Sequence, residues 1–281
     1  MRIIDGRAHA AAINGAVAGE VDRLRGHGIV PRLAVVVPTD DEATAWYVRN
    51  IGRAAAKIGV DCAVENMVGA DVGAITKRLA ELSDDPEVHG VICQTPLPAG
   101  LSLAAAAAFI DPAKDVDGAN PTSLGRLAAG LDAYAPATAA AVLEVLRREQ
   151  VPLRGARTVV IGRSIVVGKP LALLLIGADA TVTVCHSRTV DLPAIAAEAD
   201  ILVAAVGQPA LVTADYIKPG AIVVDVGTNP TAAGGLVGDV DPAGAAKAAA
   251  LTPVPGGVGP VTTAMLLRAT VSATARRSSL A

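Results

Sequence analysis

Val159, Val160, Ile161, Gly162, Arg163, Ser164, Ile165, Val166, Val167, Gly168, Lys169 and Pro170 read as an apolar strand running straight into a glycine, then a short loop, then a helix that starts near the second glycine. That arrangement aims backbone N–H groups and the partial positive charge of a helix N-terminus at one point, where a pyrophosphate would sit. It is not the usual G-x-G-x-x-G, because Ser164 stands where the second glycine is expected. Alone, the loop is weak evidence, since a structural turn also accounts for it. Its context decides: from residue 158 onward, strand-like runs at 158–162, 181–185, 201–206 and 221–227 alternate with helical runs at 170–175 and 192–199. Strand and helix in that rhythm predict a Rossmann-type, doubly wound parallel sheet.

Ligands of open α/β sheets bind outside the carboxyl ends of the strands, so the strand ends are the next residues to read. The second strand ends in Cys185, His186, Ser187 and Arg188, where an NAD-binding domain would place a carboxylate for the ribose 2′-hydroxyl. A hydroxyl and a guanidinium suit a 2′-phosphate instead, and Arg163 adds a second charge from the first loop. NADP is therefore expected over NAD; the plainer reading is a solvated turn. Val206 and Gly207 end the third strand and Asp225, Val226, Gly227, Thr228 and Asn229 the fourth. Of these, Thr228 is the expected contact near the nicotinamide. The cofactor set is thus Gly162, Arg163, Ser164, Val167, Gly168, His186, Ser187, Arg188, Val206, Gly207, Gly227 and Thr228.

Upstream lies a second, smaller α/β unit. Helical spacing over 5–25 precedes a strand at 32–37, a helix at 44–58, a strand at 60–65, a helix at 74–82 and a strand at 90–94. The polar run 114–121 reads as a loop between the halves, 139–148 as a linking helix, and 261–276 as a final helix that packs back on the first domain. The expected division is a substrate domain at 1–135 joined by 261–281, and a nucleotide domain at 136–260.

Bulk properties remove other classes. In 281 residues the formal charge is -3, with no basic concentration to hold nucleic acid. Cys62, Cys93 and Cys185 are too scattered for a disulfide framework or a metal site. The uncharged stretch 248–267 is broken by Pro253, Pro255 and Pro260, which argues against a membrane helix. Arg2, Asp5 and Arg7 interrupt any signal peptide, so a cytoplasmic location is expected.

Several strings together resemble one family. The loop Gly162, Arg163, Ser164 with Val167, Gly168 and Pro170, the run Gln94, Pro96, Leu97, Pro98, the run Lys114, Asp115, Val116, Asp117, Gly118, and the long string Pro253 to Pro260 are similar to motifs of the bifunctional methylenetetrahydrofolate dehydrogenase/cyclohydrolase (FolD) family. The resemblance spans essentially the whole chain. It implies a tetrahydrofolate derivative as substrate, on which Tyr47 stacks. Gln94 and Asp117 would hydrogen-bond the pterin, and Thr44 and Pro96 would stand beside it. The loop from Pro255 through Gly256, Gly257 and Val258 to Gly259 would line a cleft between domains. Tyr47, Gln94 and Asp117 are the catalytic set it implies, with no metal, and with homodimers formed through the nucleotide domain.

One departure bears on chemistry. The family has a lysine four residues after the tyrosine, on the same helix face; here that residue is Ile51. Hydride transfer from a methylene bridge needs orientation above all, whereas hydrolysing the methenyl product needs a group of tuned pKa. The expectation is an NADP-dependent dehydrogenase whose cyclohydrolase activity is weak or absent. The alternatives are a fully bifunctional enzyme and a non-catalytic NADP-binding paralogue. Asn120 where the family has histidine, and Ala137, Ala139, Ala140 and Ala141 in its P-C-T-P-R-G segment, point to the same divergence.

Overall fold

The computed structural model describes residues 1–231 and 234–278. In chain order its elements are β1 (Arg2–Ile3), α1 (Gly6–Gly26), β2 (Arg32–Val37), α2 (Glu42–Lys57), β3 (Asp61–Asn66), α3 (Val72–Asp84), β4 (Gly90–Cys93), α4 (Leu103–Ala107), α5 (Pro121–Ala128) and α6 (Ala137–Arg148). There follow β5 (Arg157–Ile161), α7 (Gly168–Ile176), β6 (Thr181–Cys185), α8 (Leu192–Ala196), β7 (Ile201–Ala204), β8 (Ile222–Asp225), β9 (Asn229–Pro230), β10 (Leu236–Val237), β11 (Ala250–Leu251) and α9 (Val258–Arg277). The chain forms two compact units, one of Ala11–Ala137 with the chain from Thr263 on, the other of Met1–Ala10 with Thr138–Thr262.

The first unit is built on a three-stranded sheet in the order β3-β2-β4, parallel throughout. Its middle strand, β2, carries Leu33, Ala34, Val35, Val36 and Val37 without a polar break, and all five are buried. A strand covered on both faces has no polar side to alternate with. Helices start where short acids cap them: Asp41 accepts the Thr44 N–H at 2.8 Å and Asp71 the Ala74 N–H at 2.7 Å. Ile75 and Leu79 of α3 pack with Val36 and Val91 in one core.

The polar run 114–121, expected as a loop between the halves, lies instead inside this unit. Lys114 and Asp115 are each 1% exposed. Asp115 accepts the N–H groups of Ala119 at 3.0 Å and Asn120 at 2.9 Å and the Ser123 hydroxyl at 2.7 Å, while Lys114 donates to the Asp85 carbonyl at 2.5 Å. Polar residues can be interior when every one finds a partner. Asn120 is one of them: its amide donates to the carbonyls of Ala107 and Ile110 at 3.1 and 2.8 Å, and its oxygen caps α5 through the Thr122 N–H at 2.7 Å.

The second unit holds a six-stranded sheet in the order β1-β11-β8-β7-β5-β6, every pairing parallel. From β5 the chain passes to β6 on one side and to β7 on the other, so the strand order reverses between β5 and β7. This is the switch point at which such sheets bind ligands. Residues 1–10, expected in the N-terminal domain, belong here because β1 pairs in parallel with β11, Arg2 opposite Ala250 and Ile3 opposite Leu251. The C-terminal helix starts at Val258 rather than 261, since Pro260 falls in its first turn, where a missing N–H leaves no bond unmade. Among the described residues no helix is long and apolar enough to cross a membrane.

Asn120→Ala removes two bonds to buried carbonyls and a helix cap together. The expected loss is about 1–3 kcal/mol of unfolding free energy, read as a lower urea midpoint at unchanged slope.

Candidate active site

In the six-stranded sheet Ile161 pairs with Cys185 and Ala204, and Ala204 with Asp225, so β5, β6, β7 and β8 end level and their following loops share one edge. The first of these loops depends on missing side chains. Gly162 has φ +128°, and a Cβ there would lie 2.2 Å from the Ala205 carbonyl oxygen; a Cβ on Gly168 would lie 2.0 Å from the Gly162 oxygen. Ser164, at the second-glycine position, closes the loop by accepting the Val167 N–H on its hydroxyl at 3.1 Å. No side chain caps α7 at Val167. The Lys169 N–H turns back onto the Ser164 carbonyl at 3.1 Å, and a helix N-terminus with no side-chain cap, over a cradle that any Cβ would fill, fits a phosphate-bearing ligand.

Beside it, the turn after β6 is held by its own bonds. The Arg188 N–H reaches the His186 ring at 3.2 Å, and the His186 N–H reaches the Thr189 hydroxyl at 2.9 Å. Ser187 and Arg188 are left exposed, as are Arg163 and Ser164 on the neighbouring loop.

The loops after β7 and β8 are organised by a residue the sequence reading did not single out. Asp239 is fully buried, and its carboxylate accepts the N–H groups of Val206 at 2.7 Å, Gly207 at 3.1 Å and Gln208 at 2.8 Å and the Asn229 amide at 2.9 Å. Asp225 accepts the N–H groups of Gly227, Asp239 and Val240 at 2.9, 3.0 and 2.9 Å. Burial pushes the Asp225 carboxyl up to about 6 against the pull of those donors. Thr228 is exposed between these anchored residues. The only hint in the sequence is an acid next to Gly238, a glycine whose Cβ would lie 1.8 Å from the Asp225 carboxylate.

In the other unit, α2 and two loops supply the second constellation. Tyr47 is half-buried on α2, and its phenol is held far above the ordinary range by burial and by the charge of Asp117, with a hydrogen bond from the Thr263 hydroxyl acting against them. Thr263, too, went unread in the sequence. Asp117 accepts the Ala137 N–H at 3.1 Å, and burial pushes its carboxyl up to about 6. The next residue must be glycine, since Gly118 has φ +57° and a Cβ there would lie 2.5 Å from the Tyr134 oxygen.

Thr44 is buried, and its hydroxyl shares one proton between Asp41 at 2.9 Å and the Thr95 carbonyl at 2.8 Å. It ties the start of α2 to the turn carrying Gln94 and Pro96. The Gln94 N–H is fixed on the Val36 carbonyl at 2.9 Å, its side chain half-buried.

Ile51 is fully buried one helical turn after Tyr47, while Arg49, Arg53 and Lys57 are exposed. Pro255, Gly256, Gly257 and Val258 belong to the six-stranded unit, where a Cβ on Gly6 would lie 1.7 Å from the Gly257 oxygen. All the cofactor candidates share that unit; Thr44, Tyr47, Gln94, Pro96 and Asp117 share the other.

Comparison with known proteins gives matches to two family models. Residues 4–117 match the catalytic domain, and residues 136–278 the NAD(P)-binding domain, of tetrahydrofolate dehydrogenase/cyclohydrolase. The chain is 62% identical over 274 residues to the bifunctional protein FolD of Parafrankia sp. (strain EAN1pec), covering 97% of this chain and 99% of that protein. It is similar to the crystal structure of the bifunctional enzyme FolD from Campylobacter jejuni, with a TM-score of 0.95 at 37% identity, covering 99% of each chain. It is also similar to the Trypanosoma brucei methylenetetrahydrofolate dehydrogenase-cyclohydrolase complexed with NADP and an inhibitor, with a TM-score of 0.94 at 40% identity, covering 99% of this chain and 98% of that one.

Proposed function

The chain belongs to the tetrahydrofolate dehydrogenase/cyclohydrolase family, and on that premise we propose that it oxidises 5,10-methylenetetrahydrofolate with NADP and hydrolyses the methenyl product to 10-formyltetrahydrofolate. The observation that carries the reading is the level edge of β5 to β8, which holds a helix N-terminus with no side-chain cap beside exposed Arg163, Ser187 and Arg188. A dinucleotide would lay its pyrophosphate across Gly162–Gly168 and its 2′-phosphate against the two guanidinia. NADP, when bound, supplies the hydride acceptor.

The protein's own part in that step is orientation. Tyr47, un-ionised at any working pH, offers a neutral face and a hydroxyl to the pterin, and Gln94 and Asp117 offer polar groups to its edge. Thr44 acts one step back, by fixing the turn that presents Gln94 and Pro96.

The second activity is the bifunctional reading, which the names of the relatives favour over the weak or absent cyclohydrolase expected from Ile51. Adding water to the methenyl group calls for a side chain that exchanges a proton near neutrality. Asp117, pushed up to about 6 beside Tyr47, has that range without a lysine. The buried Ile51 favours the dehydrogenase-only reading. Spectrophotometry separates the two: NADPH formation with decay of methenyltetrahydrofolate above the buffer rate is expected, decay at the buffer rate would leave the dehydrogenase alone, and no NADPH at any substrate concentration would reject the enzyme.

A homodimer through the nucleotide domain fits the edge strand β6, which leaves one side of its backbone unpaired and Val184 exposed, with Ile176 of α7 exposed nearby in the chain. A cytoplasmic location fits three unpaired cysteines.

Two further outcomes are expected. Arg188→Ala removes a charged partner of the 2′-phosphate, worth about 1.5–3 kcal/mol, so KM for NADP should rise roughly 10- to 100-fold while KM for NAD stays unchanged. Ionised Asp117 offers the pterin two accepting oxygens and a charge, and protonation turns one of them into a donor; its carboxyl lies above its usual range, so the doubly accepting form is lost as pH falls through about 6. The dehydrogenase kcat/KM for the folate should fall about tenfold per pH unit below that point, and Asp117→Asn should flatten this limb.

A further inference from the structure

Three consecutive backbone N–H groups, of Val206, Gly207 and Gln208, converge on the Asp239 carboxylate at 2.7, 3.1 and 2.8 Å. Successive N–H groups arranged this way make an anion-binding concavity, and here the protein fills it with an anion of its own. The fourth donor is Asn229, from the loop after β8, at 2.9 Å. One side chain therefore locks the loops that leave two neighbouring strands, β7 and β8. The fit is tight: a Cβ on Gly227 would lie 2.4 Å from the same carboxylate. Asp239 is itself held, through its N–H on Asp225 at 3.0 Å and through the parallel bridge of Val240 with Val212.

We propose that Asp239 is a positioning residue for the nicotinamide half of the dinucleotide, setting the loops of Val206–Gln208 and Gly227–Asn229 against which that half lies. The proposal rests on the NADP reading above. Because Asp239 takes all three N–H groups, this edge has none of them left for a ligand's phosphate. It suits a group that donates, such as a carboxamide, and not a phosphate. The phosphates are left to the Gly162–Gly168 cradle and to Arg163, Ser187 and Arg188, all remote in sequence from Asp239.

That separation supplies the test. Calorimetry on the full chain compares NADP with 2′,5′-ADP, a fragment carrying the adenosine and the 2′-phosphate but no nicotinamide. In Asp239→Asn an NH2 group faces N–H donors, so NADP should bind roughly 10- to 100-fold more weakly while 2′,5′-ADP binds as it does to the unsubstituted chain. Asn229→Ala, which keeps the carboxylate and removes one donor, should show the same selectivity to a smaller degree, and it carries the test if Asp239→Asn does not fold. In steady state the same variants should raise KM for NADP and lower kcat, with KM for the folate unchanged. Equal weakening of both ligands would make Asp239 a general structural residue and overturn the proposal, as would no weakening of either. If the unsubstituted chain bound neither ligand, the nucleotide reading would fall first, and this proposal with it.

Discussion

Backbone approaching backbone where no Cβ can fit is the constraint on which the nucleotide unit depends. Gly162 lies against the Ala205 carbonyl, and Gly168 against Gly162 itself. Those two contacts bring the end of β5, the start of α7 and the end of β7 within reach of one ligand. A methyl group at either place would meet a carbonyl oxygen inside its van der Waals radius and force the loop open. The serine between them is tolerated because its side chain turns back onto the loop, accepting the Val167 N–H rather than pointing at whatever the loop holds. The first two glycines of a dinucleotide loop thus have different jobs, and here a hydroxyl that closes the loop from within replaces the second.

What the sequence made legible follows from the same physics. Strands covered on both faces have near-continuous apolar runs, and β2, β5, β7 and β8 stand within a residue or two of where periodicity puts them. The glycine loop and the basic strand end after β6 were readable because their partners are local. Residues whose partners lie far along the chain were not. Arg2–Ile3 forms a strand only because Ala250–Leu251 offers an edge, and two residues carry no period. The run 114–121 looked like a linker because it is polar, yet Lys114, Asp115 and Asn120 meet carbonyls, N–H groups and a hydroxyl that only the folded chain brings to them. Asp239 belongs to the same class, its backbone donors lying more than thirty residues upstream. Asn120, read as a sign of divergence, is a fully partnered cap.

Ile51 stands one helical turn after Tyr47 and is fully buried, so that position adds no charge beside the tyrosine. Burial is the largest influence on Asp117, opposed by the Ala137 N–H and joined by the charge of Asp115, and the carboxyl rises to about 6. The charge of Asp117 in turn helps keep the Tyr47 phenol un-ionised. Asp117 is the carboxyl beside the tyrosine that burial moves toward neutrality. In the function proposed above, pterin binding and proton exchange with the product would draw on this same carboxylate, which would tie the two activities to one titration.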